Sequence, residues 1–213
     1  MRIIWDWNGT LLDDNHASLA ALNAILSRRG LKTVSLDYYR KNFAFPVRYF
    51  YESLGVKIEC EDWDALAQEY HDAYHESELR LASDAKTALE FVRDNGIAQA
   101  VVSAMREDYL VSDMDKFGIR DYFEVVLGAN NLDGCSKLSR IKDYVALAGG
   151  DEEYVVIGDS LHDKEVADAI GARCIFYGGG SHDPMRLGCL GPVAMTLFDA
   201  VQFALKRIKS NSY

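Results

Sequence analysis

Tyr154-Val155-Val156-Ile157-Gly158-Asp159-Ser160-Leu161-His162-Asp163 is the stretch that decides the fold. Its opening residues are apolar without alternation, as in a strand buried on both faces, and Gly158-Asp159-Ser160 then breaks the run. Downstream, a helix is predicted at 163–170, a stop at Gly171 and a strand at 173–177. Upstream lie a helix at 138–148 ending on Gly149-Gly150, a strand at 123–128, a helix at 106–117, a strand at 97–103 and a helix at 85–95. Strands of this kind alternating with helices argue a parallel sheet with helices on both sides, an α/β, doubly wound core. A last helix is predicted at 196–208, carrying Leu197, Val201, Ala204 and Leu205 on one face.

The N-terminal third has a different rhythm. A short strand at 2–6 runs into the turn Asn8-Gly9-Thr10. A helix at 14–29 follows, with Leu19, Leu22, Ile25 and Leu26 on one face and Gly30 as its stop. Residues 35–54 are dense in aromatics around Pro46, and a further helix at 62–76 carries Trp63, Leu66, Ala67, Tyr70 and Tyr74 at helical spacing. One strand, a helical insert and then the alternating segment predict a core of 1–13 and 84–213 with a helical cap at 14–83. The hinges are expected near 13–16 and 80–85.

Composition bounds the function. With 213 residues, 49% hydrophobic, 26% charged and only 3 Pro, the chain is long enough for a proper core and is not a disordered one. No stretch approaches the ~18 apolar residues that a membrane helix needs. Lys and Arg number 23 against 33 Asp and Glu, a net charge of −10, with no basic block. Unassisted binding to nucleic acid or an anionic membrane is therefore excluded as an expectation. Asp6 interrupts any leader-like apolar run, and Cys60, Cys135, Cys174 and Cys189 form no C-x-x-C pair. Each cysteine lies in or beside an apolar segment, so buried free thiols in a reducing cytoplasm are expected.

Ligands of open α/β sheets bind beyond the carboxyl ends of the strands. Asp6 and Asn8 follow the first strand, Ser103 the second and Asp159 the fourth, while Asp163 opens a helix and Lys137 starts another. Carboxylates converging without matching arginines suggest a hard cation held by oxygen, and Mg²⁺ is the usual choice. A hydroxyl, an ammonium and glycine-flanked amides around such a cation suit a phosphoryl group.

Asp6-Trp7-Asn8-Gly9-Thr10, Val101-Val102-Ser103, Lys137 and Gly158-Asp159-Ser160-Leu161-His162-Asp163, in this order, resemble the motifs of the haloacid dehalogenase-like superfamily. The insert is similar to the helical cap of its phosphoglycolate-phosphatase-like members. The resemblance implies a phosphatase in which Asp6 is the nucleophile that forms an aspartyl-phosphate. It implies Mg²⁺ held by Asp6, the Asn8 backbone carbonyl and Asp159, with Asp163 supporting them. Ser103 and Lys137 would bind phosphoryl oxygens. Gly9, Thr10 and Ala104 would shape the substrate site, and Arg48, in Phe45-Pro46-Val47-Arg48, would face an anionic substrate from the cap. The implied partner is a small phosphorylated metabolite.

One residue departs from the pattern. The family's phosphatases carry an acid–base Asp where this chain has Asn8, and an amide exchanges no proton at neutral pH. Such assistance is worth typically ~10²–10⁴-fold, so slow turnover or a restriction to good leaving groups is expected. Asp13, Asp14 and His16 are candidates to replace it. The alternative is an impaired protein that only binds phosphoryl ligands or partners. His71 and His75, four apart, read as a solvated helix face in preference to a zinc pair, and Gly178-Gly179-Gly180-Ser181-His182 as a flexible loop at the edge of the site. The cap aromatics read as the core of a small helical domain.

Overall fold

The computed structural model describes residues 1–130, 137–148 and 152–206. From the N-terminus the chain runs through β1 (Arg2–Trp5), a two-residue strand β2 (Leu12–Asp13) and helices α1 (Asn15–Arg28), α2 (Leu36–Asn42), α3 (Val47–Ser53) and α4 (Trp63–His75). It returns through β3 (Arg80–Leu81), antiparallel to β2, so that a narrow ribbon carries both crossings between core and cap. The alternation then unfolds as α5 (Ala85–Asp94), β4 (Ala98–Arg106), α6 (Glu107–Phe117), β5 (Val125–Ala129) and α7 (Leu138–Ala148). It ends with β6 (Tyr154–Gly158), α8 (Leu161–Ala169), β7 (Arg173–Tyr177), α9 (Pro184–Gly188), β8 (Val193–Ala194) and α10 (Leu197–Leu205).

The main sheet has the order β5-β4-β1-β6-β7-β8, every pairing parallel. The chain proceeds outward from β1 through β4 to β5, then crosses back to β6 and moves away on the other side. Strand order thus reverses at β1, and the crevice beyond its carboxyl end is where such sheets bind ligands.

Strand periodicity sorts the core into two layers. Ile3, Trp5, Val101, Val155 and Ile157 face one way and pack with residues of α5, α6 and α10. Ile4, Ala100, Val102, Val156 and Phe176 face the other way, against α7, α8 and α9. A third cluster, including Leu22, Ile25, Leu26, Phe50 and Leu66, is the cap's own core.

The structure departs from the sequence expectations in a few places. The aromatic stretch at 35–54 is two short helices. A short helix and an edge strand, α9 and β8, lie beyond 177 where none was predicted. Helix α8 starts two residues early because Ser160 is its N-cap, with Asp163 accepting back from the Ser160 backbone. Cys174 is buried, and burial pushes its thiol well up, but Cys60 and Cys189 are exposed, against the expectation of buried thiols. Cys135, the Gly149-Gly150 stop and the end of the predicted last helix lie outside the described residues. No described helix is long and apolar enough to cross a membrane.

Trp5 Nε1 donates to Gln99 Oε1 at 2.9 Å inside the core, and Gln99 Nε2 donates to the Leu89 carbonyl at 3.1 Å. Gln99→Leu strands the indole N–H in an apolar layer. It is expected to lower stability by about 1–3 kcal/mol in urea denaturation.

Candidate active site

The Asp6 backbone N–H bonds the Ile157 carbonyl at 2.9 Å, which anchors the end of β1 to β6. The turn that follows is possible because residue 9 is glycine: its φ is +74°, and a Cβ there would lie 2.4 Å from Asp159 Oδ2. Asp6, Lys137, Asp159 and Asp163 meet just beyond it, each at most 4% exposed.

Lys137 Nζ donates to Asp6 Oδ1, and to Asp163 Oδ1 at 2.9 Å. The other Asp163 oxygen accepts from the backbone N–H groups of Asp159 and Ser160 and from Ser160 Oγ at 2.7 Å. Asp163 therefore caps its own helix and steadies Lys137 at once. Thr10 Oγ1 lies 3.2 Å from both Asp6 Oδ2 and Asp159 Oδ1, while the Ser181 N–H and hydroxyl donate to Asp159 Oδ2.

Burial first, and the nearby Asp163 charge next, push the Asp6 carboxyl well above its usual range, although Lys137 pulls the other way. Burial alone would lower Lys137, but the Asp163 and Asp6 carboxylates outweigh it and hold the ammonium above its ordinary value. Three carboxyl groups share one ammonium, and carboxylate oxygens of Asp6, Asp159 and Asp163 lie within 4.8 Å of one another. That donor set fits a hard divalent cation.

The Asn8 amide bridges three groups. Its Nδ2 donates to Asp14 Oδ2 at 2.8 Å and lies 3.2 Å from the Tyr74 hydroxyl, and its Oδ1 accepts from Ser103 Oγ at 3.3 Å. Asp14 occupies the N-cap position of α1, yet its side chain does not cap that helix. It accepts instead from Asn8, from the Gly9 N–H at 2.7 Å and from the Tyr74 hydroxyl at 2.7 Å. Burial raises the Asp14 carboxyl, and these donors partly offset it. Of the other replacements for the missing acid, Asp13 pairs with Arg80 at the surface and exposed His16 lies against the Glu78 carbonyl.

A cavity of about 200 Å³ opens from this cluster into the cap. Asp6, Asn8, Gly9, Asp14, Lys137 and Asp159 lie at its polar end, and Ala104 lines it too. Thr10, Ser103 and Asp163 are not among the lining residues. Ser103, expected to meet phosphoryl oxygens, has its hydroxyl engaged by Asn8 and by the Met105 N–H. Arg48 is corrected outright: it lies exposed, with its guanidinium 5.1 Å over the Trp63 ring, and takes no part in the cavity.

The cap sits closed on two sides. Arg40 donates to the Gly178 carbonyl at 2.6 Å, and the buried His182 ring is 2.8 Å from the Phe43 carbonyl. The 178–182 stretch is thus pinned between Asp159 and the cap and is not a loose edge. Opposite, His71 and His75 pack against Tyr109 of α6. His71 is half-buried and lines the cavity at the cap–core seam, whereas His75 is exposed as a solvated face would have it, and no third ligand for a zinc pair joins them among the described residues. Arg40 carries no local signal in the sequence, whereas Tyr74 reads there only as a helix-face residue and Ser181 only as part of an edge loop; their bonds to Asp14 and Asp159 come from folding.

A family model described as haloacid dehalogenase-like hydrolase matches residues 3–177. The chain belongs to the haloacid dehalogenase-like hydrolases. Phosphoglycolate phosphatase of Caulobacter vibrioides is 29% identical over 187 residues, spanning 80% of this chain and 74% of its own. Protein Tyrosine Kinase A of Mycobacterium tuberculosis shares the fold at a TM-score of 0.78, 23% identity and 96% and 97% coverage of the two chains. A haloacid dehalogenase-like family hydrolase from Streptococcus pneumoniae does so at 0.71, 17% identity and 95% and 97% coverage.

Two tests bear on this haloacid dehalogenase-like site. Asn8→Asp sets a carboxylate against Asp14 and is expected to lose about 1–3 kcal/mol at neutral pH in urea denaturation. The exchange Asn8→Asp with Asp14→Asn restores a donor between the two positions and should recover most of it. The second concerns His71, whose imidazole burial first, then His75 and Arg106, hold at about 4 against the opposing Asp72. Because that value lies below the ordinary ~6.5, the neutral ring's contribution is complete above 6.5 and is lost as pH falls toward 4. Urea midpoints should therefore fall less steeply through this window in His71→Phe than in the wild type.

Proposed function

We propose that this hydrolase is a phosphatase that cleaves a small phosphorylated metabolite through an aspartyl-phosphate on Asp6, with Mg²⁺ as its cofactor. The observation that carries the reading is the Asp6 carboxylate, set between Lys137 and Thr10 at the polar end of the cavity. Its named relatives include phosphatases of small phosphorylated compounds. Asp6, Asp159 and the Asn8 backbone carbonyl would hold Mg²⁺, with Asp163 behind them, and the ion when bound neutralises phosphoryl oxygens in a negative site.

An Asp6 oxygen attacks phosphorus, the Asp6–phosphorus bond forms and the bond to the leaving oxygen breaks. Lys137 draws the Asp6 carboxyl toward its ionised form and aims it. Asn8 cannot protonate the departing oxygen, which therefore leaves as an anion, and good leaving groups are favoured. In the second half a water, oriented by Asn8, attacks phosphorus and the Asp6–phosphorus bond breaks. Among the described residues Asp14 is the one carboxylate lining the cavity outside the Asp6–Asp159–Asp163 cluster, and it receives the water's proton. Residues 14–83 act as the cap, swinging on the β2–β3 ribbon to admit substrate and exclude bulk water. A cytoplasmic location accords with the absence of a membrane-spanning helix among the described residues. A purely binding role is not favoured, because the charged cluster is complete.

Acetyl phosphate hydrolysis in Mg²⁺, followed as phosphate release, tests the reading. Asp6→Asn should abolish it and chelation should stop it. Asp14→Asn should slow release of phosphate by roughly 10²-fold or more and leave phosphoenzyme to accumulate, because the second step alone loses its base. Full activity in Asp6→Asn would overturn the proposal.

A further inference from the structure

The cavity does not end at the charged cluster. It continues among the cap helices past Leu22, Tyr39, Phe50, Trp63, Leu66 and Ala67, a mainly apolar wall on which Ser18, Tyr70 and His71 add a few polar groups. From this geometry we infer that the cap receives a single aromatic ring, and hence that the substrate is a phosphate monoester of a small phenol-type alcohol. The inference rests on the Asp6 reading above and names its substrate class.

Size is the first argument. An apolar cavity of about 150 Å³ is enough to hold benzene. The 200 Å³ here leaves room for one ring beside a phosphoryl group at Asp6, and too little for a fused pair. Charge is the second. The cationic residues on the wall are already engaged: Lys137 by Asp6 and Asp163, and Arg106 by a two-pronged pair with Asp108 at 2.6 and 2.7 Å. Arg48 is outside. Among the described lining residues a carboxylate or second phosphate on the leaving group would find no unpaired cation and would face Asp14. His71, neutral at pH 7, adds no charge to the wall.

Chemistry is the third. A phenol has a pKa near ~10, whereas water, a guide to simple alcohols, has ~15.7. The phosphorus–oxygen bond breaks with its electron pair going to a phenolate, which takes its proton later from solvent. A site whose acid position is the amide of Asn8 expels that group far more readily than an alkoxide. The shape of the cap and the defect at the strand end therefore select the same compound.

The test separates binding from turnover. Phenylphosphonate, methylphosphonate and phosphonoacetate are titrated against the wild-type protein in Mg²⁺, beside turnover of acetyl, phenyl and 2-naphthyl phosphates. Phenylphosphonate should bind roughly 10–100-fold more tightly than the other two phosphonates, as burial of one ring requires. Phenyl phosphate should exceed 2-naphthyl phosphate in kcat/KM, and Ala67→Phe, which fills the wall, should shrink the phenyl advantage in binding. Equal binding of the three phosphonates, or a preference for phosphonoacetate, overturns the inference even while acetyl phosphate is hydrolysed. If phenylphosphonate is preferred and acetyl phosphate stays intact, the ring site stands and the Asp6 reading falls. The phosphonate comparison needs only wild-type protein, so a misfolded Ala67→Phe does not spoil it.

Discussion

Lys137 Nζ is the group on which the site depends. It holds two carboxylates, Asp6 beyond β1 and Asp163 in the first turn of α8, in a place where none of the three is more than 4% exposed. An ion buried without its partner costs several kcal/mol, so the ends of two neighbouring strands are locked to one another through this ammonium. Asp159 enters the same space without a lysine of its own and is held by hydroxyls and a backbone N–H. The loops reach it only by shedding side chains: a Cβ on Gly180 would fall 2.2 Å from the Asp159 Cβ. Glycine at 9 and 180 is thus a consequence of bringing three carboxylates together.

The second constraint is the pairing of the Asn8 amide with the Asp14 carboxylate. With Asn8 at the strand end, the carboxylate next to it stands at the mouth of the cap, held by Tyr74 from α4. The acid is thus bonded to an element of the cap, so its environment depends on closure. Closure in turn rests on the 178–182 stretch, whose Ser181 holds Asp159 and whose Gly178 carbonyl receives Arg40.

Much of this was legible in the sequence, and the limits have physical causes. Short unbroken apolar runs such as Tyr154–Gly158, rich in β-branched residues and closed by Gly158-Asp159, fit strands of a parallel sheet buried on both faces. Asp6, Asp159 and Asp163 were placed together because strand ends converge in this architecture. The failures concern direction and closeness. Whether Arg48 meets the cavity is a matter of helix phase, and α3 turns it onto Trp63. The glycines at 178–180 were read as looseness when they signal close approach. Asp14 has the residue type and position of an ordinary helix cap, and only the structure shows that its carboxylate is spent elsewhere. Exposure of Cys60 and Cys189 was missed because an apolar neighbour in sequence does not set which way a thiol points.

Charge and shape divide the work of selection in this molecule. The chain carries a net −10 and concentrates carboxylates at the bottom of its cavity, so its field opposes every phosphate that approaches. Admission of the phosphoryl group depends on Lys137 and on a cation suited to the Asp6–Asp159–Asp163 donors, and both act at the phosphorus end alone. No comparable cation is free on the cap side of the cavity among its lining residues. Each further negative charge on a substrate is therefore repelled by the background and uncompensated locally, while apolar surface gains from a mainly apolar wall. A cap core built of aromatics, which stabilises a small helical insert in any case, becomes by the same contacts the surface that sorts leaving groups.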